Sequence, residues 1–556
     1  MNTECSVETG DGTLLATSVT APGSGSYPVI IIRTVYGREG LSILGRIMSR
    51  YDYATVIQDV RGSGDSSGVF GFIRQEPRDA IDTAKWVLNQ PWCDGNLAIL
   101  GISYLSAASI AIGVEFPKET KCAVWVTVPT CSEMLCFQCG ALRLHHTLPW
   151  VCSLPWRKNT SLPSFDTEMY KKTPLIEAVP EGLGCPWSEM LEGGPSSRFW
   201  QENDLWDYVR KIAIPGLHFG GWFDFLLDST LEPYREMRKS GAPQRLILGP
   251  WSHNGVVGNE KISGDITYGD PGRSGVSADV SSRFIEESVR WLNLWIRGDG
   301  DLSSMAPVRV FVTGSNAHWE ERKEWPDSED GLIMYLGKGA LSKHVDMVGA
   351  KGSSDDFVYD PNDPVPTEGG AVWAFPKAGL QPGPSVSSIF ERPDLLVYDY
   401  GPLEEPLKIL GNPRVTLYAS SSAPDTDFVA GLFDVDSNGV SRYVSDGIVR
   451  GRYRNGVDKE ELLELGKTNQ FIIPMKACAH TFAQGHSMRL TISSSNFPKF
   501  DRNHNTKMPL FQSREMEKAV QTVYYGRDNP SVLVLPLSAP VPGDETCGGE
   551  MSASGK

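Results

Sequence analysis

The stretch LAILGISYLSAASIAIGVEF, residues 97–116, decides the fold. It opens with an apolar run of the kind that forms a buried strand. Ser103 follows almost at once, and a run of small and apolar residues typical of a buried helix comes directly after it. The order strand, serine, helix predicts a sharp turn that pushes the serine side chain out of the top of a sheet, with a helix N-terminus beneath it.

The segments on the N-terminal side of this stretch continue the same pattern. Residues 27–33 (YPVIIIR) and 54–59 (ATVIQD) are short runs rich in β-branched residues, which predict buried strands of a parallel sheet. Residues 76–90 place their apolar residues on one helical face. Strands that alternate with helices in this way predict an α/β domain.

The pattern is interrupted after about Phe137. Residues 137–210 are rich in Trp, Pro and Leu, and they predict an irregular, mostly helical insertion. Strand-like runs resume at 214–225 (IPGLHFGGWFDF) and 245–253 (RLILGPWSH). Residues 281–296 then predict an amphipathic helix that closes the unit.

The turn at Ser103 departs from the usual nucleophile elbow, G-x-S-x-G. Leu105 occupies the position of the second glycine, while Gly101 and Ser106 are the small residues present. The motif by itself therefore leaves an ordinary serine in a βα turn as an equal alternative.

Two residues further along the chain favour catalysis. Asp224 follows the strand-like GGWF and His253 follows LILGPWS, and the chain order Ser, Asp, His is that of α/β-hydrolases. The histidine would take the serine proton, and the carboxylate would fix the imidazole tautomer and stabilise its cation. Asp228, one helical turn beyond Asp224, is the rival for the acid.

The chain changes character after about Pro307. Short strands alternate with turn residues there, as in VRVFVTG (308–314) and RVTLYASS (414–421), which predicts a β-sandwich or jelly roll. The predicted organisation is an α/β-hydrolase domain in two parts (1–136 and 213–304), a helical cap (137–212), an all-β jelly-roll domain (305–540) and a disordered tail (541–556).

Charge and composition restrict the partners. The formal net charge of −16 disfavours nucleic acid and anionic membranes. Neither a secretory signal nor an apolar run of membrane-spanning length is found, so we expect a cytoplasmic protein. The expected partner is a small-molecule ester or amide substrate. A homodimer is one option, and the oligomeric state stays open. The ten cysteines predict reduced thiols. We expect no cofactor and no metal, although four of the cysteines make a zinc site a minor alternative; they are Cys131, Cys136, Cys139 and Cys152.

The glycines of GSGDSSG (62–68) imitate a dinucleotide-binding fingerprint. Asp82 lies twenty residues beyond Gly62, as that fingerprint requires. The third glycine is one position late, however, and GVFGFI follows it instead of a helix. A nucleotide site is therefore disfavoured.

Segments through most of the chain resemble the cocaine-esterase and X-Pro dipeptidyl-peptidase-like hydrolases, a group that also includes glutaryl acylases, α-amino-acid ester hydrolases and a nonactin-biosynthesis enzyme. The matching segments are VIIIRTVYGR, VIQDVRGSGDSSGVF, WCDGNLAILGISYL, GGWFD, LILGPWSH, VRVFVTGSNAHW, YDPNDPVPTEGG, APDTDFVAGLFDVD, GIVRGRYR and GHSMRLTISSSNFPKFDRN.

The resemblance implies an α/β-hydrolase domain with a helical cap and a C-terminal jelly roll of the galactose-binding-like type. It assigns the triad to Ser103, Asp224 and His253. It assigns the oxyanion hole to the Tyr36 hydroxyl and the Tyr104 backbone N–H.

Two absences indicate a subfamily. The chain begins almost directly with the hydrolase, without the long N-terminal domain of X-Pro dipeptidyl peptidases. Phe225, Leu226 and Leu227 follow the triad aspartate, where α-amino-acid ester hydrolases have carboxylates that hold a substrate ammonium. We therefore expect an uncharged or apolar acyl group. The expected pocket residues are Phe137, Trp150, Trp156, Phe225 and Leu226. For the three that belong to the cap, the alternative is that they pack in the core of the cap.

The expected function is hydrolysis of a small ester or amide. Ser103 attacks the acyl carbonyl, His253 relays the proton, and water releases the acyl-enzyme. An acyltransferase or cyclase stays open, because only the second nucleophile would differ. A binding protein with an inactive hydrolase domain is a third alternative, against which the intact Ser, Asp, His and Tyr positions argue.

Overall fold

The computed structural model describes residues 2–155, 165–181, 184–257, 262–264, 266–267, 283–326, 331–345, 349–375 and 379–537. The strands up to residue 322 are β1 (Asn2–Glu8), β2 (Leu14–Thr20), β3 (Tyr27–Thr34), β4 (Ala54–Asp59), β5 (Cys93–Ile102), β6 (Thr120–Val126), β7 (Phe137–Gln138), β8 (Ala141–Leu142), β9 (Gly216–Gly221), β10 (Gln244–Gly249), β11 (Ile262–Ser263), β12 (Ile266–Thr267), β13 (Val308–Gly314) and β14 (His318–Arg322). The later strands are β15 (Leu332–Gly337), β16 (Ala340–Ser342), β17 (Ser354–Tyr359), β18 (Leu396–Tyr400), β19 (Leu407–Gly411), β20 (Arg414–Ser421), β21 (Asp427–Val435), β22 (Ser441–Arg450), β23 (Asn469–Pro474), β24 (Cys478–Phe482), β25 (Ser487–Ser493), β26 (Ala519–Tyr524) and β27 (Val532–Leu535).

Within the described residues, the helices all lie before residue 300, apart from short 3₁₀ turns. They are α1 (Ser42–Ser49), α2 (Glu76–Leu88), α3 (Tyr104–Glu115), α4 (Ser132–Leu135), α5 (Leu144–Ser153), α6 (Trp187–Leu191), α7 (Arg198–Glu202), α8 (Trp206–Lys211), α9 (Asp228–Arg238) and α10 (Phe284–Leu292). None of the helices in the described ranges combines the length and the apolar character needed to cross a bilayer.

A 12-stranded sheet forms the centre of the first domain. Its order is β1-β2-β4-β3-β5-β6-β9-β10-β13-β24-β19, with β14 paired to β13. Every neighbouring pair from β4 to β13 is parallel; on β3, for example, Ile31 faces Val56 of β4 and Ile99 of β5. These strands are apolar along their length because helices cover both faces of a parallel sheet. The predicted α/β class is confirmed.

The predicted helices of this domain are present. The helix predicted over 76–90 is α2, which ends at Leu88. Nearly every residue of α3 is buried, which is why its sequence is apolar on all sides and not on one face. The helix predicted over 281–296 is described from residue 283, as α10 followed by a π-helical turn, Asn293–Arg297.

The segment between β8 and β9 is irregular and helical, as predicted. It holds α5 to α8 together with the 3₁₀ turns Thr167–Lys171, Leu175–Glu177 and Gly194–Ser196. Its apolar side chains join the core of the sheet domain, among them Trp187 and Trp200. The segment therefore packs over the sheet as a cap.

The prediction that Val308–Gly314 belongs to the C-terminal sandwich is wrong. This strand, β13, pairs in parallel with β10, and Leu246 faces Val308. Two later strands, β24 and β19, extend the same sheet beyond β13. An apolar run of this kind predicts a buried strand but carries no local signal for its partner, which is why the error arose.

The C-terminal domain is all-β, as predicted. Its 11-stranded sheet has the order β17-β26-β20-β27-β15-β16-β18-β25-β21-β22, with β23 paired to β20. One hydrophobic core collects side chains from distant parts of this order, such as Phe357 of β17 and Leu432 of β21. The sheet therefore folds over on itself around a shared core.

Candidate active site

Ser103 is the single residue between the end of β5 and the start of α3. Its backbone has φ 57° and ψ −125°, a conformation that residues with a side chain rarely adopt. The Ser103 N–H donates to the carbonyl of Val126 at 2.7 Å, and the Ser103 carbonyl accepts from the N–H of Ser106 at 2.9 Å. These bonds hold a sharp strand-to-helix turn of the kind that displays a nucleophile.

The small residues around the elbow are required by its packing. A Cβ atom on Gly101 would lie 2.5 Å from the Cα of Ser106, closer than real atoms approach. Gly101 therefore has no room for a side chain. Leu105, in the position of the usual second glycine, is buried in the core instead of lying inside the turn.

Asp224 and His253 follow neighbouring parallel strands, β9 and β10. Because the carboxyl ends of parallel strands meet at one edge of a sheet, both residues reach the edge where Ser103 lies. His253 Nδ1 is 3.0 Å from Asp224 Oδ1 and 2.9 Å from Oδ2. The Asp224 carboxylate is fully buried, and the backbone N–H of Leu226 donates to its Oδ1 at 2.7 Å. The pair can hold one imidazole tautomer.

Asp228 has different partners. The Lys476 ammonium donates to its Oδ2 at 2.5 Å, and the Arg143 guanidinium lies 3.4 Å from the same oxygen. Burial opposes ionisation of this carboxyl, but the charges of Lys476 and Arg143 prevail and hold its pKa below the ordinary value. The structure therefore brings Asp224, and not Asp228, to the histidine.

Tyr36 lies just beyond β3, the strand next to β5, at the edge of the sheet that Ser103 occupies. Its hydroxyl oxygen accepts a hydrogen bond from Trp150 Nε1 at 3.0 Å, which leaves the phenolic hydrogen available for donation. Tyr36 keeps 53% of its accessible surface, yet the protein atoms around it raise the pKa of the phenol to about 12. A side chain that lines a cleft can keep half of its surface accessible and still have enough protein around it to raise its pKa.

Tyr104 is the first residue of α3, so its backbone N–H has no partner within the helix. Its side chain is buried and donates a hydrogen bond to Glu76 Oε1 at 2.8 Å. Arg33 Nη1 lies 2.8 Å from the other oxygen of Glu76, and both side chains are fully buried. Burial raises the pKa of the Glu76 carboxyl, against the opposing charge of Arg33. This network anchors the start of α3.

Sequence reasoning missed the Arg33–Glu76 pair. The available signal was Arg33 at the end of the apolar run YPVIIIR, where a charge has to find a buried partner.

Two of the predicted pocket residues lie beside the candidate triad. Phe225 contacts His253, with ring centroids 4.9 Å apart, and also His146, at 4.2 Å. Trp150 stacks on His146, with ring centroids 5.3 Å apart. The rings of Phe225, His146 and Trp150 thus form a continuous wall from His253 to the Trp150–Tyr36 hydrogen bond.

The other predicted pocket residues are placed differently. Phe137 is fully buried against Trp200 and Phe511, while its neighbour Gln138 faces a cavity. Successive residues of a strand point to opposite sides, and both belong to β7. The side chain of Leu226 is fully buried, and its contact with the site is made through the backbone. Trp156 lies outside the described residues.

The cavity that Gln138 borders is small, about 10 Å³, which is room for about one water molecule. His146 and Phe225 line it from the first domain, and Trp373 and Lys476 from the second half of the chain. No triad residue lines this cavity, and none lines the two cavities bordered by Phe511 and by Tyr443. Sequence reasoning missed His146, whose only signal was the polar pair HH within an apolar cap segment.

Residues 62–68 form a loop packed against its own chain. A Cβ on Gly62 would lie 2.2 Å from the N of Phe70, and one on Gly64 would lie 2.2 Å from the Asp59 carboxylate. The glycines therefore permit close packing inside the protein. Among the described residues, no group of three or more His, Cys, Asp or Glu side chains is arranged to hold a metal ion.

Comparison with known protein families gives two adjoining matches. Residues 11–255 match the model of X-Pro dipeptidyl-peptidase (S15 family). Residues 302–534 match the model of the X-Pro dipeptidyl-peptidase C-terminal non-catalytic domain. Each candidate triad residue falls inside the first match.

Individual proteins match along almost the whole chain. Cocaine esterase from Rhodococcus sp. (strain MB1 Bresler) is 30% identical over 95% of this chain and 96% of its own length. The solved structure of an α-amino acid ester hydrolase is 25% identical and covers 97% of this chain and 96% of that chain, with a TM-score of 0.83. An aminopeptidase from a marine sediment archaeon (Thaumarchaeota archaeon), at 24% identity and a TM-score of 0.81 over 96% of each chain, shares the fold.

Proposed function

The chain belongs to the family of serine hydrolases that includes cocaine esterase and X-Pro dipeptidyl peptidase, and on this premise we propose that Ser103, His253 and Asp224 are the triad with which it cleaves a small ester or amide. That it is a hydrolase of carboxylic ester or amide bonds follows from the family. The proposal concerns which residues carry the reaction and what they act on.

The observation that carries the proposal is the contact between His253 and Asp224 at the sheet edge that bears the Ser103 turn. His253 Nδ1 lies within 3.0 Å of both oxygens of a fully buried carboxylate. A carboxylate in this position keeps the Nδ1–H tautomer, so that Nε2 is free to accept a proton. The strained backbone of Ser103 supports its role as the displayed nucleophile.

In the proposed reaction the Ser103 oxygen attacks the acyl carbon while His253 takes the hydroxyl proton. The imidazolium that forms is stabilised by Asp224, and it returns the proton to the leaving alcohol or amine as the carbon–heteroatom bond breaks. A water molecule then attacks the acyl-enzyme by the same route, and the acid product leaves with Ser103 restored.

Negative charge on the acyl oxygen is proposed to be held by the Tyr36 hydroxyl and the Tyr104 backbone N–H. Supporting this, Tyr36 has a free hydrogen to donate, because its oxygen is the acceptor of the Trp150 bond. Tyr104 N–H lies at the open end of α3, where the helix dipole also favours negative charge.

Covalent labelling tests the nucleophile. A fluorophosphonate should modify Ser103 stoichiometrically, as mapped by mass spectrometry of peptides, and Ser103→Ala should abolish both labelling and ester hydrolysis. Ser106→Ala is the matched control, because the Ser106 hydroxyl lies buried in the same turn without a hydrogen-bond partner among the described residues. A stoichiometric adduct elsewhere, with Ser103 unmodified, would overturn the assignment.

We also propose that the enzyme works in the cytoplasm on a small, uncharged molecule, with no nucleic acid or membrane partner and at most a second copy of itself. The net charge of −16 supports this by repelling polyanions. The nine described cysteines are all free thiols, in keeping with a reducing compartment.

A further inference from the structure

The hydrogen bond between Trp150 and Tyr36 joins two parts of the molecule. Trp150 lies on α5 of the cap, whereas Tyr36 follows β3 of the sheet domain. The indole Nε1 donates to the phenolic oxygen at 3.0 Å. The group proposed to hold the negative acyl oxygen is therefore itself bonded to a side chain of the cap.

This bond restricts the direction of the phenolic hydrogen. The hydrogen of a hydroxyl group rotates about the C–O bond to suit its surroundings. Because the Trp150 N–H is directed at the Tyr36 oxygen, the phenolic hydrogen is repelled from that side and points away from the indole. The hydroxyl is then arranged to donate to an acceptor that does not come from the indole side.

The same bond makes the phenol a stronger donor. Burial raises the pKa of the Tyr36 phenol to about 12, and the hydrogen bond from Trp150 opposes this increase. Hydrogen bonds in a chain polarise one another, so a phenol whose oxygen accepts a bond donates more strongly through its hydrogen. This strengthening matters most where negative charge develops on the acceptor.

The indole is held in place by the rings around it. Trp150 keeps only 4% of its accessible surface. Its ring packs against Phe72 at 5.8 Å and Tyr104 at 6.5 Å, and it stacks on His146 at 5.3 Å. Because Tyr104 directly follows Ser103, these contacts hold the donor beside the nucleophile turn. A donor fixed in this way needs no rearrangement when the reaction begins.

Resting on the proposed function, we propose that Trp150 is a positioning residue of the oxyanion hole, whose indole N–H orients the Tyr36 hydroxyl for donation to the negative acyl oxygen. In this role Trp150 does not touch the reacting atoms and acts through Tyr36. Without the indole N–H, the hydroxyl would turn among several directions and would spend part of its time directed away from the acyl oxygen. The oxyanion hole is then complete only while the cap is in place.

A double-mutant cycle on the whole enzyme tests this role. Trp150→Phe, Tyr36→Phe and the double variant are compared with the wild type on p-nitrophenyl acetate, with active sites counted by phosphonate titration. In the wild-type background Trp150→Phe should lower kcat about 3- to 10-fold, the range of one neutral hydrogen bond. In the Tyr36→Phe background the same change should alter kcat less than about twofold, because the hydroxyl through which Trp150 acts is gone.

Benzothienylalanine in place of Trp150 separates the N–H from the ring. Its ring system has sulfur where the indole has the N–H, and it keeps the shape and the stacking surface. We expect the same loss in kcat with little change in KM, because the packing is retained and only the orientation of the Tyr36 hydroxyl is lost.

Trp187→Phe is the matched control. Trp187 is a buried tryptophan of the cap, and its Nε1 donates to the Leu175 carbonyl at 3.0 Å. The substitution removes an indole N–H and the same ring area as Trp150→Phe, at a position without contact to Tyr36. Its melting temperature should fall, while kcat per active site should stay at the wild-type value.

Three outcomes would overturn the proposal, and each is distinct. A wild-type kcat with benzothienylalanine would show that the ring of Trp150 matters and its N–H does not. An equal loss from Trp150→Phe in both backgrounds would show that Trp150 acts independently of Tyr36. Turnover of Tyr36→Phe at the wild-type rate would remove the phenol from the proposed oxyanion hole, and the role of Trp150 with it; continued labelling of Ser103 would then show that the nucleophile assignment stands.

Discussion

Replacing Asp224 by Asn tests the proposed triad at its most specific contact. In the structure the Asp224 carboxylate faces two donors, the N–H of Leu226 at 2.7 Å and His253 Nδ1 at 2.9 to 3.0 Å. An asparagine has a single oxygen, and the Leu226 N–H would take it. The amide nitrogen would then face His253 and donate to Nδ1, so that the imidazole proton moves to Nε2, the nitrogen that has to accept the serine proton.

The expected loss follows from this reversed tautomer. In serine proteases that carry the same kind of triad, the aspartate-to-asparagine change lowers kcat about 10⁴-fold, and we expect a loss of the same order here. Each tenfold corresponds to about 1.36 kcal/mol, so the change removes about 5.4 kcal/mol of transition-state stabilisation. The shape of the side chain is kept, so the melting temperature should change little.

Asp228→Asn is the matched control, with the opposite expected pattern. It removes the carboxylate shared by Lys476 and Arg143, whose side chains are only 2% and 5% exposed. Removing one partner of a buried ion pair costs about 3–5 kcal/mol, and we expect the lower end because Asp228 keeps 30% exposure. Stability should fall while kcat per active site, counted by phosphonate titration, stays within a few-fold. Urea unfolding and steady-state kinetics measure both, and a reversed pattern would refute the assignment of Asp224.

Three further outcomes are expected. Tyr36→Phe should lower kcat about 10²–10³-fold with the melting temperature and Ser103 phosphonylation retained, because it removes one oxyanion donor and keeps the ring; turnover at the wild-type rate would rule out the phenol as a donor. Burial lowers the pKa of His218 to about 4, so between pH 6.5 and pH 4 the unfolded chain binds a proton at this residue that the folded chain does not bind. Its contribution to the free energy of unfolding should fall by up to about 3 kcal/mol from pH 6.5 to pH 4. Urea unfolding measured at several pH values should therefore show that the free energy of unfolding falls less steeply with decreasing pH in His218→Asn than in the wild type. A chain ending at Gly300 should be insoluble or inactive, since it leaves the edge of β10 without β13; a soluble and fully active product would show that the C-terminal domain is dispensable.

The sequence was most informative where a local pattern is enough. The strand before Ser103, the helix after it and the strands before Asp224 and His253 are all read from apolar runs of limited length, because burial in a parallel sheet imposes that composition. The order of residues at strand ends then predicted which side chains share an edge. The contact between His253 and Asp224 follows from that order.

What the sequence could not provide depends on contacts between distant residues. Val308–Gly314 was recognised as a strand but assigned to the wrong sheet, because its partner β10 lies some sixty residues earlier in the chain. Phe137 was expected in the pocket; its ring packs against Trp200 and Phe511, while its neighbour Gln138 in the short strand β7 borders a small cavity. A one-residue shift in a strand reverses the side that each residue faces, and no local pattern fixes it in so short an element.

The C-terminal domain forms part of the candidate site through its contacts with the loop that follows Asp224. Lys476 Nζ donates to the carbonyl of Phe225 at 3.0 Å, one residue after the acid. Trp373 packs against Phe225 and His146, and its carbonyl fixes His145. The strands β13, β24 and β19 also extend the first sheet. Lys476 lies just before β24, so the part of the chain that extends this sheet also contacts the loop that carries Asp224. A change in the C-terminal domain at Trp373 or Lys476 should therefore alter catalysis without touching the triad, which is the reason to treat the two family domains as one catalytic unit.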